Sequence, residues 1–498
     1  MAAFQRPGVY VQETLNPVQS TVGPNSDSLG AFIGANDRGP TRPTLVTSWS
    51  DYTTKFGTWN TTASNNLPLA VYMFFSNGGS RAYVTRVVDT AVKATRSFND
   101  TAGTPLATLS LTAANEGTWG NSLNVTFSPS TTTGLVDLTI YYGGSTDAFI
   151  VEKFTDLSMT ATNTRYLVSV INTGSSYVTA TDLGSASTGA TRNPATATPN
   201  QALSTGTNGS AISTITSYSA FDTVTQSLIL NVPGFVDTTT INAAISYAAA
   251  REDVFVVIDG MVDTVANQLT RAAAYTASSY AAVYYPQVLI SDPTVGVGGA
   301  SNATKTLGAG GGIIGLYSAT DASRGVFKAP AGLQARLAGV VSVPVLTNAD
   351  LDSLNAAAAP VNAIKFVSGS GIVVMGSKTL KPGYVDKYVP VRRTLIYLRK
   401  ALTDLTEFAI FEPNDPALWR RIDSTVSSFL TQFWAQGGLA GTTPASAFFV
   451  KVDTTNNPQA SIDNGQVNIE VGVALQRPAE FVIIKIGQFD GGTTVTVA

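Results

Sequence analysis

The order of strands and helices between residues 228 and 290 constrains this chain more than any other feature. Apolar runs typical of buried strands alternate there with stretches of helical periodicity. The strands are predicted at 228–233, at 253–259 and at 281–285 with 288–290, and the helices at 239–250 and 264–279. Strands separated by helices predict a parallel sheet with right-handed crossovers. We therefore expect an α/β core.

A second α/β piece precedes this core and is separated from it by a segment of different composition. Residues 31–90 predict short strands and two helices, whereas residues 97–219 are rich in Thr, Ser, Gly and Asn and predict short alternating strands. The expected fold class is mixed α/β and multidomain. The expected domains are an N-terminal arm and linker (1–30), an α/β core (31–96 and 220–378), an inserted β-rich outer domain (97–219) and a C-terminal α+β domain (379–498).

The C-terminal segment predicts a strand at 388–391, a helix carrying a leucine stripe, and a second helix that starts beside Pro416. Asn414 or Asp415 is a suitable N-cap for this second helix, because a side-chain oxygen accepts hydrogen bonds from the first free N–H groups. Two β segments follow, at 466–475 and 479–486.

The first and last strand-like segments have no obvious pairing partner nearby in sequence. A strand at a sheet edge leaves a row of N–H and C=O groups unpaired, so it is normally blunted or paired. We therefore expect strand exchange between copies of the chain. The residues predicted to form these arms are Val9, Tyr10, Val11 and Gln12 at one end and Phe481, Val482, Ile483, Ile484 and Ile486 at the other.

The absence of His and Cys excludes several kinds of chemistry. No Ser-His-Asp triad, cysteine nucleophile, disulfide, or thiolate or imidazole zinc site is possible. A net charge of −3 without a basic run argues against nucleic acid as a partner. Neither a signal peptide nor a membrane-spanning apolar run is predicted, so we expect folding in a cytoplasm. We expect no catalytic residue, no cofactor and no metal site.

Two motifs have both a ligand-binding and a structural interpretation. Residues 310–315 match a glycine-rich phosphate loop, but no Lys-Ser/Thr pair follows, so a close-packed or flexible loop is predicted. Asp259, Asp263 and Asp292 follow predicted parallel strands, where ligands bind in open α/β sheets. Aspartate is also a common turn and helix-cap residue, and we favour that interpretation.

Several segments resemble the sheath proteins of contractile phage tails and related contractile injection systems. They lie in the same order on both flanks of the chain, while the 97–219 segment matches mainly through Gly117-Thr118-Trp119-Gly120-Asn121. The flanking segments are Arg6-Pro7-Gly8-Val9-Tyr10-Val11, residues 47–57, Asn77-Gly78-Gly79-Ser80-Arg81-Ala82-Tyr83-Val84, Ala281-Ala282-Val283-Tyr284-Tyr285-Pro286, the predicted charged loop from Asp321 to Pro330, Phe411-Glu412-Pro413-Asn414-Asp415-Pro416-Ala417-Leu418-Trp419 and Arg477-Pro478-Ala479-Glu480-Phe481-Val482.

The resemblance implies a helical homopolymer of stacked hexameric rings around a tail tube, in the virion tail. It also implies baseplate and tail terminator proteins as partners, no membrane insertion, and hinges at 12–30 and 456–466. Arg420 and Arg421 are candidate tube contacts, or else ordinary surface charges. A passive surface-layer or adhesin-like polymer and a carboxylate-based glycosidase remain as alternatives.

Overall fold

The computed structural model describes residues 29–60, 64, 66–196, 201–261, 263–295, 303–381, 383 and 386–480. The strands are β1 (Leu29–Ala35), β2 (Thr44–Val46), β3 (Ala82–Val87), β4 (Thr95–Asn99), β5 (Ala107–Ala113), β6 (Leu123–Pro129), β7 (Val136–Tyr142), β8 (Ile150–Leu157), β9 (Val178–Asp182), β10 (Gln201–Ala202), β11 (Leu228–Asn231), β12 (Val254–Asp259), β13 (Ala281–Tyr285), β14 (Val288–Ser291), β15 (Thr304–Leu307), β16 (Val340–Ser342), β17 (Val361–Val367), β18 (Gly371–Val374), β19 (Phe448–Lys451) and β20 (Glu470–Val473). The helices are α1 (Trp49–Phe56), α2 (Asn66–Ser76), α3 (Leu167–Gly174), α4 (Thr238–Arg251), α5 (Val265–Ala274), α6 (Gly310–Arg324), α7 (Asn348–Ala356), α8 (Val389–Thr406), α9 (Pro416–Ala435), α10 (Pro444–Ala447) and α11 (Gln459–Asp463).

An eight-stranded main sheet has the order β18-β17-β13-β12-β11-β1-β3-β2. Neighbouring strands from β17 to β3 pair in parallel, and only the two outermost strands, β18 and β2, pair antiparallel. Every residue of β11 and β12 is buried, because helices cover a parallel sheet on both faces. This large, mostly parallel sheet confirms the mixed α/β class predicted from the strand and helix pattern.

Two apolar cores lie on opposite faces of the main sheet. One contains Phe32 and Phe255 with side chains of α2 and α6. The other contains Ala31 and Val256 with side chains of α4 and α5. Alternate residues of one strand enter opposite cores because successive side chains of a strand point to opposite faces.

Small antiparallel sheets lie between β3 and β11 in the chain. The sheets β4-β5-β9 and β10-β6-β7-β8 share a third core, which includes Leu109, Trp119 and Ile140. We call residues 94–203 the β-rich region.

The described residues divide into two compact units. The smaller unit comprises Asp321–Lys328 and Tyr397–Gln476, and the larger unit contains the rest, including the main sheet and the β-rich region. The smaller unit has its own core, formed by α9, the end of α8 and the β19–β20 sheet. No helix among the described residues combines the length and the apolar character that a membrane span requires.

Four local predictions were wrong. Residues 310–312 begin helix α6 instead of forming a loop, and Asp321–Arg324 is its last turn instead of part of a charged loop. The strand predicted at 388–391 is the start of α8, with Pro390 in the first turn, where a missing N–H costs nothing. Residues 288–290 belong to a separate sheet with β15 and β16.

Candidate functional site

The residues predicted to form exchanged arms lie outside the described residues. This holds for Val9, Tyr10, Val11 and Gln12 and for Phe481, Val482, Ile483, Ile484 and Ile486. The strand-exchange prediction therefore stays a prediction.

Glu480, the last described residue before the predicted C-terminal arm, is held by two side chains of the larger unit. Its Oε2 accepts a hydrogen bond from the Tyr388 hydroxyl at 3.1 Å and lies 3.7 Å from Lys378 Nζ. Burial and the neighbouring Glu480 carboxylate raise the pKa of Tyr388. These contacts fix the position from which the chain enters the segment beyond residue 480.

The smaller unit contains a sheet that has only two strands among the described residues. β19 pairs antiparallel with β20, from Phe448 opposite Val473 to Lys451 opposite Glu470. Phe448, Val450 and Val473 are partly buried against the core around α9, whereas Phe449 is 53% exposed. Leu439 also forms an antiparallel bridge with Leu475, just beyond β20. A two-stranded sheet is marginally stable by itself, so this sheet is suited to accept further strands.

Helix α9 presents the two arginines that were predicted as tube contacts. The Asp415 carboxylate caps it, accepting from the N–H groups of Ala417 and Leu418 at 2.8 Å. Arg420 and Arg421 are exposed, opposite the buried stripe of the helix. The Arg421 guanidinium lies 4.2 Å from the centre of the Phe408 ring. Arg421 thus has a partner within its own unit. A substitution of Arg420 is therefore the clearer test of whether this face of α9 contacts another protein.

The loop before α9 carries an exposed apolar pair that the sequence analysis missed. Ile410 is 59% exposed and Phe411 is 75% exposed. Phe411 also has a φ of 65°, which is rare for a bulky side chain. Adjacent exposed apolar side chains on a strained backbone are typical of contact surfaces. The Phe-Glu-Pro-Asn motif marked this loop, but nothing in the sequence revealed its exposure.

Each of the three aspartates considered for a cation site accepts a hydrogen bond from a nearby group of the protein. Asp259 accepts from the Gly310 N–H at 2.7 Å, Asp263 from the Asn267 side-chain amide at 2.6 Å, and Asp292 from the Thr294 N–H at 2.9 Å. Among the described residues, no group of acidic side chains has an arrangement that could hold a metal ion. These contacts agree with the turn and helix-cap interpretation.

Tight packing leaves the glycine-rich motif no space for a phosphate. A Cβ atom at Gly310 would lie 2.5 Å from Asp259 Oδ1, and one at Gly311 would lie 2.1 Å from the Ala70 carbonyl oxygen. The Asp259 carboxylate occupies the helix N-terminus, where an anion would otherwise bind. Burial raises the pKa of Asp259 to about 6, although hydrogen bonds from Gly310 and Asn231 oppose this rise.

Comparison with known proteins finds sequence similarity to phage tail sheath proteins in parts of the chain. Residues 387–489 match the phage tail sheath C-terminal domain. The tail sheath protein of Vibrio phage KVP40 is 29% identical over 179 residues, which cover 35% of this chain and 25% of that protein. The match therefore spans about a quarter of that relative's length.

Solved sheath structures share the fold. The PVC sheath of an extracellular contractile injection system, in its contracted state, is 22% identical with a TM-score of 0.57, covering 98% of this chain and 99% of that one. The contracted helical sheath of the anti-feeding prophage is 23% identical with a TM-score of 0.58, covering 98% and 100%. The sheath tail protein of Listeria innocua is 14% identical with a TM-score of 0.60, covering 90% and 96%. The resemblance to tail sheath proteins found in the sequence is thus confirmed: residues 387–489 match a sheath domain, and solved sheath proteins share the fold of the chain.

Proposed function

We propose that this chain is the structural subunit of a contractile tail sheath, which polymerises around a tail tube and contracts to drive the tube through a target cell envelope. The observation that carries the proposal is the sheath C-terminal domain at residues 387–489. The shared fold with two sheaths solved in the contracted state supports it. Contraction consumes no nucleotide in this scheme.

The proposed assembly consists of stacked hexameric rings joined by exchanged strands. The β19–β20 sheet is the proposed acceptor, because it has only two strands among the described residues. An added strand of about five residues contributes several hydrogen bonds, at about 0.5 to 1.5 kcal/mol net each. Glu480, held by Lys378 and Tyr388, sets the point from which the C-terminal arm leaves its own subunit.

The proposed domains are those of the sequence analysis: arm 1–30, core 31–96 and 220–378, β-rich outer domain 97–219, and C-terminal domain 379–498. The segment 456–466 is not proposed as a hinge. It contains helix α11. The side-chain amide of Asn457 also forms two hydrogen bonds with the backbone of Asn468: its Nδ2 donates to the carbonyl oxygen at 3.0 Å, and its Oδ1 accepts from the N–H at 2.6 Å. The proposed partners are other copies of the chain, a tail tube protein, the baseplate and a tail terminator, and the proposed location is the virion tail after assembly in the host cytoplasm.

Negative-stain electron microscopy of the purified chain tests the proposal. We expect tubular polymers from the full-length chain, and a folded, soluble monomer without tubes after deletion of residues 1–20. Paired substitutions sharpen the test. Val9→Pro with Val11→Pro removes two N–H donors and should abolish tubes, whereas Val9→Thr with Val11→Thr keeps strand propensity and should preserve them.

Two outcomes would contradict different parts of the proposal. Normal tubes from the truncated chain would refute the arm model while leaving the sheath function standing. A full-length chain that forms flat arrays would instead support a passive surface-layer polymer.

A further inference from the structure

Two arginines are buried where the main sheet meets the β-rich region. Arg38 follows β1 and is 5% exposed, and Arg86 lies in β3 and is 2% exposed. A charged group in the protein interior is costly unless nearby groups compensate its charge. The partners of both guanidinium groups therefore reveal what holds this junction together.

Arg38 lies among three aromatic rings of the β-rich region. Its Cζ is 4.9 Å from the ring centre of Trp119, 5.8 Å from that of Tyr142 and 4.3 Å from that of Tyr177. Its Nη2 donates to the Thr54 carbonyl oxygen at 3.1 Å, on the side of the main sheet. Cation–π attraction is strongest where water is excluded, so the three rings form a favourable site for this cation.

Arg86 joins the same two parts of the larger unit through hydrogen bonds. Its Nε donates to the Asn36 carbonyl oxygen at 2.6 Å, and its Nη1 donates to the Glu116 carbonyl oxygen at 2.7 Å. The Glu116 carboxylate lies 4.0 Å away. Burial lowers the pKa of Arg86 to about 10, so the group stays charged at neutral pH.

Residues 116–119 meet both arginines. The Glu116 carbonyl oxygen that binds Arg86 also accepts from the indole N–H of Trp119 at 3.0 Å. Gly117 has a φ of +124°, and a Cβ there would lie 2.7 Å from the Asp37 carbonyl oxygen. The backbone of this turn thus contacts the main-sheet side without room for a side chain. Gly117-Thr118-Trp119-Gly120-Asn121 is also the motif to which the sequence analysis gave no role.

We propose that Arg38 and Arg86 form a latch that fastens the β-rich region to the main sheet, so that the two behave as one rigid body. Separating them would deprive Arg38 of its three rings and Arg86 of its hydrogen bond to the Glu116 carbonyl oxygen. The latch goes beyond the proposed sheath function and does not depend on it.

Hydrogen–deuterium exchange with mass spectrometry on the purified full-length chain tests the latch. In Arg38→Ala, peptides that cover residues 113–122 and 175–182 should exchange about tenfold faster, while peptides of β12 keep their rate. Tyr177→Leu, which changes the opposite side of the contact, should give the same pattern. Arg42→Ala, at an exposed arginine on the same loop as Arg38, should leave all rates unchanged.

The double variant Arg38→Ala with Tyr177→Leu separates a shared contact from two independent losses. If both residues act in the latch, the double variant exchanges no faster than the faster single variant, whereas multiplied effects would overturn the proposal. Equal acceleration in β12 would overturn it too, since that would mean a global loss of stability. If Arg38→Ala fails to fold, Tyr177→Leu and the charge-retaining Arg38→Lys carry the same comparison.

Discussion

Asp259 illustrates at the scale of one residue how a carboxylate suited to ligand binding is used for packing. It ends β12 at the edge where open α/β sheets bind ligands, yet it is 4% exposed and caps α6. Burial disfavours its charged form more strongly than the capping hydrogen bonds favour it, so its pKa rises from 3.8 to about 6.

Asp259→Asn should therefore remove a pH dependence of stability. Between pH 3.8 and about 6, folded wild-type protein keeps a proton that the unfolded chain has lost. The free energy of unfolding then falls as pH rises through this window, by about 3 kcal/mol, and levels off above it. Urea unfolding of both proteins from pH 4 to pH 8 gives the difference directly.

Asp263→Asn is the matched control for this measurement. Hydrogen bonds from Asn267 and Thr264 lower the pKa of Asp263, so its contribution to stability is lost as pH falls. Because this loss lies below pH 3.8, the difference in unfolding free energy between wild type and Asp263→Asn should be nearly independent of pH between pH 4 and pH 8. A wild-type minus Asp259→Asn curve without slope between pH 4 and pH 6 would contradict the assignment.

At the scale of one element, α6 shows why part of the fold could not be predicted from the sequence. Glycine is a poor helix former, so four glycines within six residues predict a loop. The helix forms because these glycines let its backbone approach α2, where a Cβ at Gly311 or Gly315 would lie 2.1 or 2.4 Å from a carbonyl oxygen. Long-range packing of this kind leaves no local signal.

Gly311→Ala should destabilise the larger unit despite the better helix propensity of alanine. Propensity favours the substitution by about 1 kcal/mol, but the methyl group meets the Ala70 carbonyl oxygen and forces α6 and α2 apart, at a cost of about 1 to 3 kcal/mol or more. Thermal unfolding followed by circular dichroism should show a lower midpoint. Gly103→Ala, where a Cβ meets nothing within 4 Å, should leave the midpoint nearly unchanged, and an equal or higher midpoint for Gly311→Ala would refute the packing argument.

Some other elements can be predicted from the sequence of the segment itself, and others cannot. The strands β11, β12 and β13 and the helices between them follow from apolar runs and helix caps, and Asp415 caps α9 as predicted. The start of α8 was mistaken for a strand because Val389 and Val391 favour β structure, whereas tertiary packing buries both in a helix. The aromatic site of Arg38 had no sequence signal, since its rings come from three distant segments.

At the scale of the whole molecule, the small fraction of charged residues leaves few side chains that could guide binding to other proteins by electrostatic attraction. The net charge is −3 and only 13% of residues are charged, so single exposed cations stand out. Arg420 is such a cation, on the face of α9 opposite the buried stripe of that helix. Exposed ion pairs contribute up to about 1 kcal/mol each, a factor of about five in affinity.

In the proposed sheath assembly, where Arg420 is a candidate tube contact, Arg420→Glu should weaken binding of the subunit to the tail tube by about fivefold per subunit and reduce its salt dependence. Co-sedimentation with purified tubes at two salt concentrations measures both effects. Arg165→Glu makes the same charge change at an exposed arginine of the β-rich region and should bind like wild type. Unaltered binding by Arg420→Glu would remove this arginine from the tube contact.

The main sheet also determines when during synthesis this protein becomes foldable. Strand β1 lies between β3 and β11, and Leu29 pairs with Leu228 across the whole β-rich region. On the ribosome, the inner edge of β1 therefore waits without its partner until nearly half the chain has been translated. Contacts so far apart in sequence form slowly. A nascent chain can thus complete its β-rich region before its central sheet, which closes only after translation is well advanced.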